Sequence, residues 1–292
     1  MIGRIARAVT GLAVVLLVSG CLDSATTVLV KKDGSGLITE IVYMNAAMEQ
    51  MMQGMAAAMG GDMEEAEPDE AAMPELDEEE YKEKASKLGE GVRYVSAKRV
   101  KKAGGDTGVA VTYAFDDVTK IRISPDPAPS GMPGGDEMGE DSSEDKPITF
   151  GFVKGGKPKL LVNLPQDKPS DDSAEVDIPY VEDMGEAEDS EAPSPQELQM
   201  MKQMFSGFRF RLTVEVEGQI TDSNAAHVSG GNTVTLYDVD FGKIVDDEKS
   251  LMKFATLGSG AGMQDPAKAA EQLAEIPGLK IETSENLSIE FK

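Results

Sequence analysis

The chain has 292 residues, 53 of them acidic and 28 basic, for a formal net charge of −25, with one cysteine, one histidine and no tryptophan. That charge argues against nucleic acid, whose phosphates need Lys and Arg, and against peripheral docking on anionic lipid. A single cysteine excludes an internal disulfide, and a single imidazole makes neither a zinc site nor a catalytic triad by itself.

Residues 1–20 have the parts of an export signal. Arg4 and Arg7 give a positive start. Ala8 to Val18 is an apolar run too short to span a ~30 Å hydrocarbon core as a helix. Ser19 and Gly20 are the small residues a signal peptidase needs, and Cys21 follows at once. The run Leu16-Leu17-Val18-Ser19-Gly20-Cys21 resembles the bacterial lipobox. The resemblance implies cleavage before Cys21, acylation of its thiol (a palmitate-type anchor) and a mature chain tethered to a membrane facing the periplasm. Two or more acyl chains, at ~0.8 kcal/mol per buried methylene, make such an anchor stable. Leu22 rather than an aspartate follows the cysteine, which in such proteins favours the outer membrane. A plain cleaved signal or an uncleaved membrane helix is the alternative.

The expected organisation is one domain in pieces: 21–123, 148–165 and 194–292, separated by acidic linkers at 124–147 and 166–193. Thr26 to Lys32 and Leu37 to Met44 flank Asp33-Gly34-Ser35-Gly36 and predict a hairpin. Met44, Met48, Met51, Met52, Met55, Met59 and Met63 then recur at helical spacing, with Asn45 as cap and Gly60-Gly61 as stop. Asp62 to Glu80 holds eleven carboxylates. Its first part reads as a solvated loop and its end as a helix over Asp77 to Leu88, acids first and lysines last. Gly91 to Lys101 and Gly108 to Ile123 read as strands. The linker Ser124 to Pro147 has five prolines, four glycines and seven acids, too little apolar surface to offset ordering, so disorder is expected. Ile148 to Lys154 and Lys157 to Leu164 form a second hairpin, and a short strand is expected at Val176 to Val181. Ser194-Pro195 opens a helix. Phe208, Phe210, Leu212, Val214 and Val216 alternate with polar residues, the mark of a strand apolar on one face. Gly218 to Gly231 reads as a turn region, Thr233 to Phe241 as a returning strand, Lys243 to Leu257 and Pro266 to Glu275 as helices. Leu279 to Thr283 and Leu287 to Phe291 suggest a closing hairpin. The sum is an α+β chain: an antiparallel sheet with helices packed on one face, interrupted by long acidic insertions.

One region carries a family likeness. Gly218-Gln-Ile-Thr-Asp-Ser-Asn224 and Gly230-Gly-Asn-Thr-Val234 follow the alternating strand, and the hairpin Val28 to Val42 follows the lipobox. Together they resemble bacterial lipoproteins with an LppM-like domain. The resemblance implies a membrane-tethered, non-enzymatic α+β domain, with lipid or glycolipid binding in some members. Such members often carry a tryptophan after the Gly-Asn turn, where this chain has Leu236 or Tyr237.

No catalytic constellation emerges. No Gly-x-Ser-x-Gly elbow accompanies His227, and no spacing singles out a carboxylate pair among the acids. No cofactor is indicated. Met48, Met51, Met52, Met55 and Met59 are the sharpest chemical feature, since thioethers suit Cu(I). The same spacing also fits a flexible apolar face toward core, partner or lipid. The leading expectation is a non-enzymatic envelope module, anchored through Cys21, that binds lipid or an envelope protein. Soft-metal binding by the methionines comes second, and a hydrolase with an unrecognised acid pair third.

Overall fold

The computed structural model describes residues 22–44, 76–102, 106–125, 146–165, 202, 207–258 and 272–292. The methionine run 45–63, the strand expected at 176–181, the two linkers (save a few flanking residues), the helix opening at Ser194 (save Lys202) and most of the helix at 266–275 lie outside the described residues.

The first hairpin pairs β1 (Leu22–Val30) with β2 (Gly36–Met44) over nine residues each. Its turn closes as the composition dictates. The Asp33 carboxylate accepts from the Ser35 backbone N–H at 2.9 Å and from the Ser35 hydroxyl at 2.7 Å, the local bonding that lets Asp terminate a strand. Gly36 is required by crowding: a β-carbon there would stand 1.9 Å from the Leu29 carbonyl oxygen. Helix α1 (Glu78–Lys87) begins where its acids predict, with Asp77 accepting from the Glu79 and Glu80 N–H groups at 2.9 and 3.3 Å.

The other strands are β3 (Arg93–Lys101), β4 (Thr107–Phe115), β5 (Arg122–Ile123), β6 (Ile148–Val153), β7 (Lys159–Asn163), β8 (Phe208–Val216), β9 (Ile220–Ser223), β10 (Val228–Ser229), β11 (Thr233–Asp240), β12 (Leu279–Ile281) and β13 (Asn286–Phe291). Helices α2 (Phe241–Asp246) and α3 (Glu248–Gly258) lie between β11 and β12. The large sheet runs β10-β11-β8-β1-β2-β4-β3, with β12 also on β11, and the small sheet β5-β6-β7-β13-β9. Pairing is antiparallel apart from β1 with β8, which align in parallel from Leu22 opposite Phe208 to Val30 opposite Val216.

The chain is therefore mixed α+β, with mostly antiparallel sheet and few helices. The helices do share one face of the large sheet: α1 reaches it through the Lys84–Glu40 ion pair at 2.8 Å, and α2 through the Phe210–Phe241 edge contact at 6.1 Å. They share that face with the small sheet. One apolar core joins Val28, Ile38, Phe115 and Val214 of the large sheet to Phe150, Leu160, Ile289 and Phe291 of the small one.

Four expectations are corrected. The strand expected over Gly108 to Ile123 is two, β4 and β5, because Asp117 accepts from the Thr119 N–H at 2.9 Å and starts a 3-10 turn over Val118–Lys120 between them. The region 218–231 is more than a turn: β9 crosses to the small sheet and β10 returns to the large one, a reversal that Gly218 permits at φ +104° against the Lys292 carbonyl. The two last strands form no hairpin, because β12 pairs with β11 and β13 sits between β7 and β9. Their apolar alternation marks both as strands but does not encode which sheet each joins. The expected helix 243–257 is two helices, since Asp247 leaves helical geometry and accepts from the Ser250 N–H at 3.1 Å, starting α3 anew.

Candidate functional site

Strand lengths create the site. β1, β2, β4 and β8 each have nine residues, about 30 Å of extended chain. The small-sheet strands that cover them have five or six residues, about 20 Å. The cover lies over the end holding Val30, Phe115 and Val216. Toward the other end the core-side residues Ser24 and Thr26 of β1, Val42 and Met44 of β2, and Phe208 and Phe210 of β8 are only half-buried. Register fixes this shared face: Thr26 continues the Val28–Val30 parity, and Val42 and Phe210 both stand opposite Ser24.

Helices flank this apolar strip. On one side α1 holds Glu40 through Lys84, and Tyr81 stacks on Tyr94 with ring centroids 6.0 Å apart. Burial pushes the Tyr113 hydroxyl well above its ordinary pKa, with the Glu40 charge adding to it. On the other side a chain of rings runs Phe208–Phe210–Phe241–Phe254 with centroid spacings of 6.3, 6.1 and 5.6 Å. Behind it Ile244, Ile276 and Leu279 form a second small core. The strip ends at Leu22, the residue directly after Cys21.

The opposite face of the same end carries charge. Arg209 grips Asp238 with two hydrogen bonds of 2.8 Å. Lys102 reaches Asp23 at 2.6 Å and lies 4.4 Å above the Tyr43 ring. Burial alone would raise the Asp238 carboxyl, but the hydrogen bonds and charge of Arg209, with Arg211 and Lys280, hold it below its ordinary value.

The remaining titratable candidates are occupied. Glu282, 5% exposed, accepts from the backbone N–H groups of Ala226, Thr283 and Ser284 at 2.7, 3.1 and 3.2 Å. His227 Nε2 stands 3.3 Å from the Ile281 carbonyl oxygen. Among the described residues no group of three or more His, Cys, Asp or Glu could hold a metal ion, and no helix is long and apolar enough to cross a membrane. Cys21 and the methionines Met48, Met51, Met52, Met55 and Met59 lie outside the described residues. Of the sequence candidates only the flanks enter this site: Met44 begins the methionine spacing, and Leu22 follows the cysteine. Ser24, Thr26, Phe208 and Phe210 were missed as site residues. The signal that could have found them is the mismatch between nine-residue strands and the short hairpin meant to cover them.

Comparison with known proteins adds little. No family model matches the chain, and no curated protein matches it. The folded domain of the Mycobacterium tuberculosis LppM protein, solved by NMR, aligns over 94% of this chain and 91% of that one. The identity is 10% and the TM-score 0.30. Backbones that superpose so loosely do not support inference from one to the other.

Proposed function

We propose that this chain is a non-enzymatic binding module of the cell envelope, tethered through acylated Cys21, whose half-open strip receives the acyl chain of a lipid. The observation that carries the reading is the strip itself. Val42, Met44, Phe208 and Phe210 are only partly buried on the core side of a sheet, where apolar surface gains about 25 cal/mol per Å² on leaving water. Ser24 and Thr26 add hydroxyls that can meet a headgroup or ester. The occupied hydrogen bonding of Glu282 and the lone His227 fit a role without chemistry. The export signal and Leu22 favour the outer membrane where there are two.

Native mass spectrometry of mature protein from its own cells tests the ligand. A defined lipid mass is expected on the wild type and is expected to be lost in Phe210→Glu, which places a carboxylate in the strip. A wild type that carries no lipid would sink the reading. The tether has its own test: globomycin should leave a precursor that retains residues 1–20, and unaffected processing would remove the anchor.

A further inference from the structure

We infer that the large sheet stands on the bilayer by its anchor end and that the end of strand β3, through Lys98, Arg99 and Lys101, docks on anionic lipid headgroups. The inference rests on the proposed acylation of Cys21 and adds an orientation to it.

The first support is the lack of slack. Leu22 is already strand β1, is 1% exposed, and donates its N–H to the Gly207 carbonyl at 3.1 Å. A chain anchored at Cys21 thus enters a paired strand within one residue, about 3.3 Å of rise. No linker is left to hold the domain away from the membrane.

The second support is register. Lys101 stands opposite Thr107, Thr107 opposite Met44, and Met44 opposite Leu22. Lys101 therefore shares a transverse row with the anchor, three strand spacings or about 14 Å from it.

The third is where charge is left over. Residues 93–102 carry five cations and no acid in a chain of net charge −25. Arg93, at the far end of β3, is matched by two hydrogen bonds to Asp116 at 2.9 and 3.0 Å, and Lys102 is matched by Asp23. Lys98, Arg99 and Lys101 stand exposed at the anchor end, and the nearby Asp106 is buried.

Cations on an edge strand also guard against edge-to-edge pairing. Along β3 that role is shared with the register shift at Val95, the third of its nine residues, and the cations without an acidic partner among the described residues gather beside the anchor. The net charge argues against adsorption of the whole surface, yet screening limits its reach to about 8 Å at physiological salt. Described acids beyond that reach do not cancel three cations held at the headgroups.

Cys21 is the one cysteine, so in the acylated protein an introduced cysteine is the sole free thiol. The full mature lipoprotein is reconstituted in vesicles of phosphatidylglycerol or of phosphatidylcholine, each doped with a headgroup-labelled energy acceptor. A donor dye is placed by Lys101→Cys, which leaves Lys98 and Arg99 to dock, or, at the opposite end of the strands, by Lys32→Cys. The dye at 101 is expected to transfer strongly in phosphatidylglycerol, the dye at 32 weakly, and the difference to shrink at high salt. Lys98→Glu with Arg99→Glu is expected to lower transfer from 101 to its phosphatidylcholine level. The wild type, without a dye, supplies a second reading: trypsin cleavage after Lys98, Arg99 and Lys101 is expected to slow at least about tenfold on phosphatidylglycerol against phosphatidylcholine. Equal transfer from 101 and 32, or cleavage indifferent to lipid charge, overturns the docking. Either result in protein that floats with the vesicles leaves the anchor standing, whereas protein that does not float reports failure of the anchor itself.

Discussion

Glu282 shows how a buried acid can be wholly structural. Its carboxylate accepts three backbone N–H groups, from Ala226, Thr283 and Ser284, and so fastens the loop before β10 to the crossing between β12 and β13. Removing the acceptor leaves several donors without partners in a site that is 5% exposed at Glu282. Glu282→Ala is expected to cost about 2–3 kcal/mol, read from the shift in the urea midpoint, and Glu282→Gln less, because an amide oxygen still accepts. A Glu282→Ala protein as stable as the wild type would show that water replaces the carboxylate. Nothing in the sequence distinguished Glu282 from the other 52 acidic residues. Its role depends on donors 56 residues away at Ala226 and on its immediate neighbours, and such a meeting leaves no local pattern.

Elements were legible where their signals are local. The acid-first start of α1, the Asp33-Gly34-Ser35 turn and the alternation of Phe208 to Val216 each depend on residues a few positions apart, and each appears in the fold. Partner choice was not legible. Thr27 and Thr213 exchange a 3.1 Å hydroxyl contact across 186 positions, and the parallel β1–β8 pairing behind it follows from the packing of the whole sheet. The pair Arg209–Asp238 ties β8 to β11 in the same way. Its folded carboxyl sits below its unfolded value of about 3.9. The stabilisation is therefore present above that value and is lost as pH falls through the folded one. Many acids titrate together in acid, so the informative quantity is the stability difference between wild type and Arg209→Leu. That difference is expected to hold constant above about pH 5 and to shrink below about pH 4, measured as urea midpoints across the range. A difference that does not change with pH would mean that Arg209 acts through packing alone.

At the scale of the molecule, one core draws on the whole length of the chain. Val28, Val30 and Ile38 precede both acidic stretches, Phe150 and Leu160 lie between them, and Val214, Leu287 and Phe291 follow. The sequence suggested a domain in pieces because the apolar strands on either side of each acidic stretch are too few to bury one another alone. It did not show that the pieces would stack as two sheets of unequal length, which is what sets the partly buried strip beyond the small sheet. A chain cut between Gly135 and Asp136 tests the shared core. The first piece would hold β1 to β5 and the second β6 to β13, so the cut divides the large sheet between β1 and β8 and neither piece holds it whole. Produced together, the halves are expected to co-purify and to unfold in one transition, held by β1 against β8 along nine register pairs and by the apolar layer between the sheets. Produced alone, each half exposes its share of that layer and is expected to aggregate. Halves that fold separately and do not bind each other would overturn the shared core, since each part of the large sheet would then hold without the β1–β8 pairing.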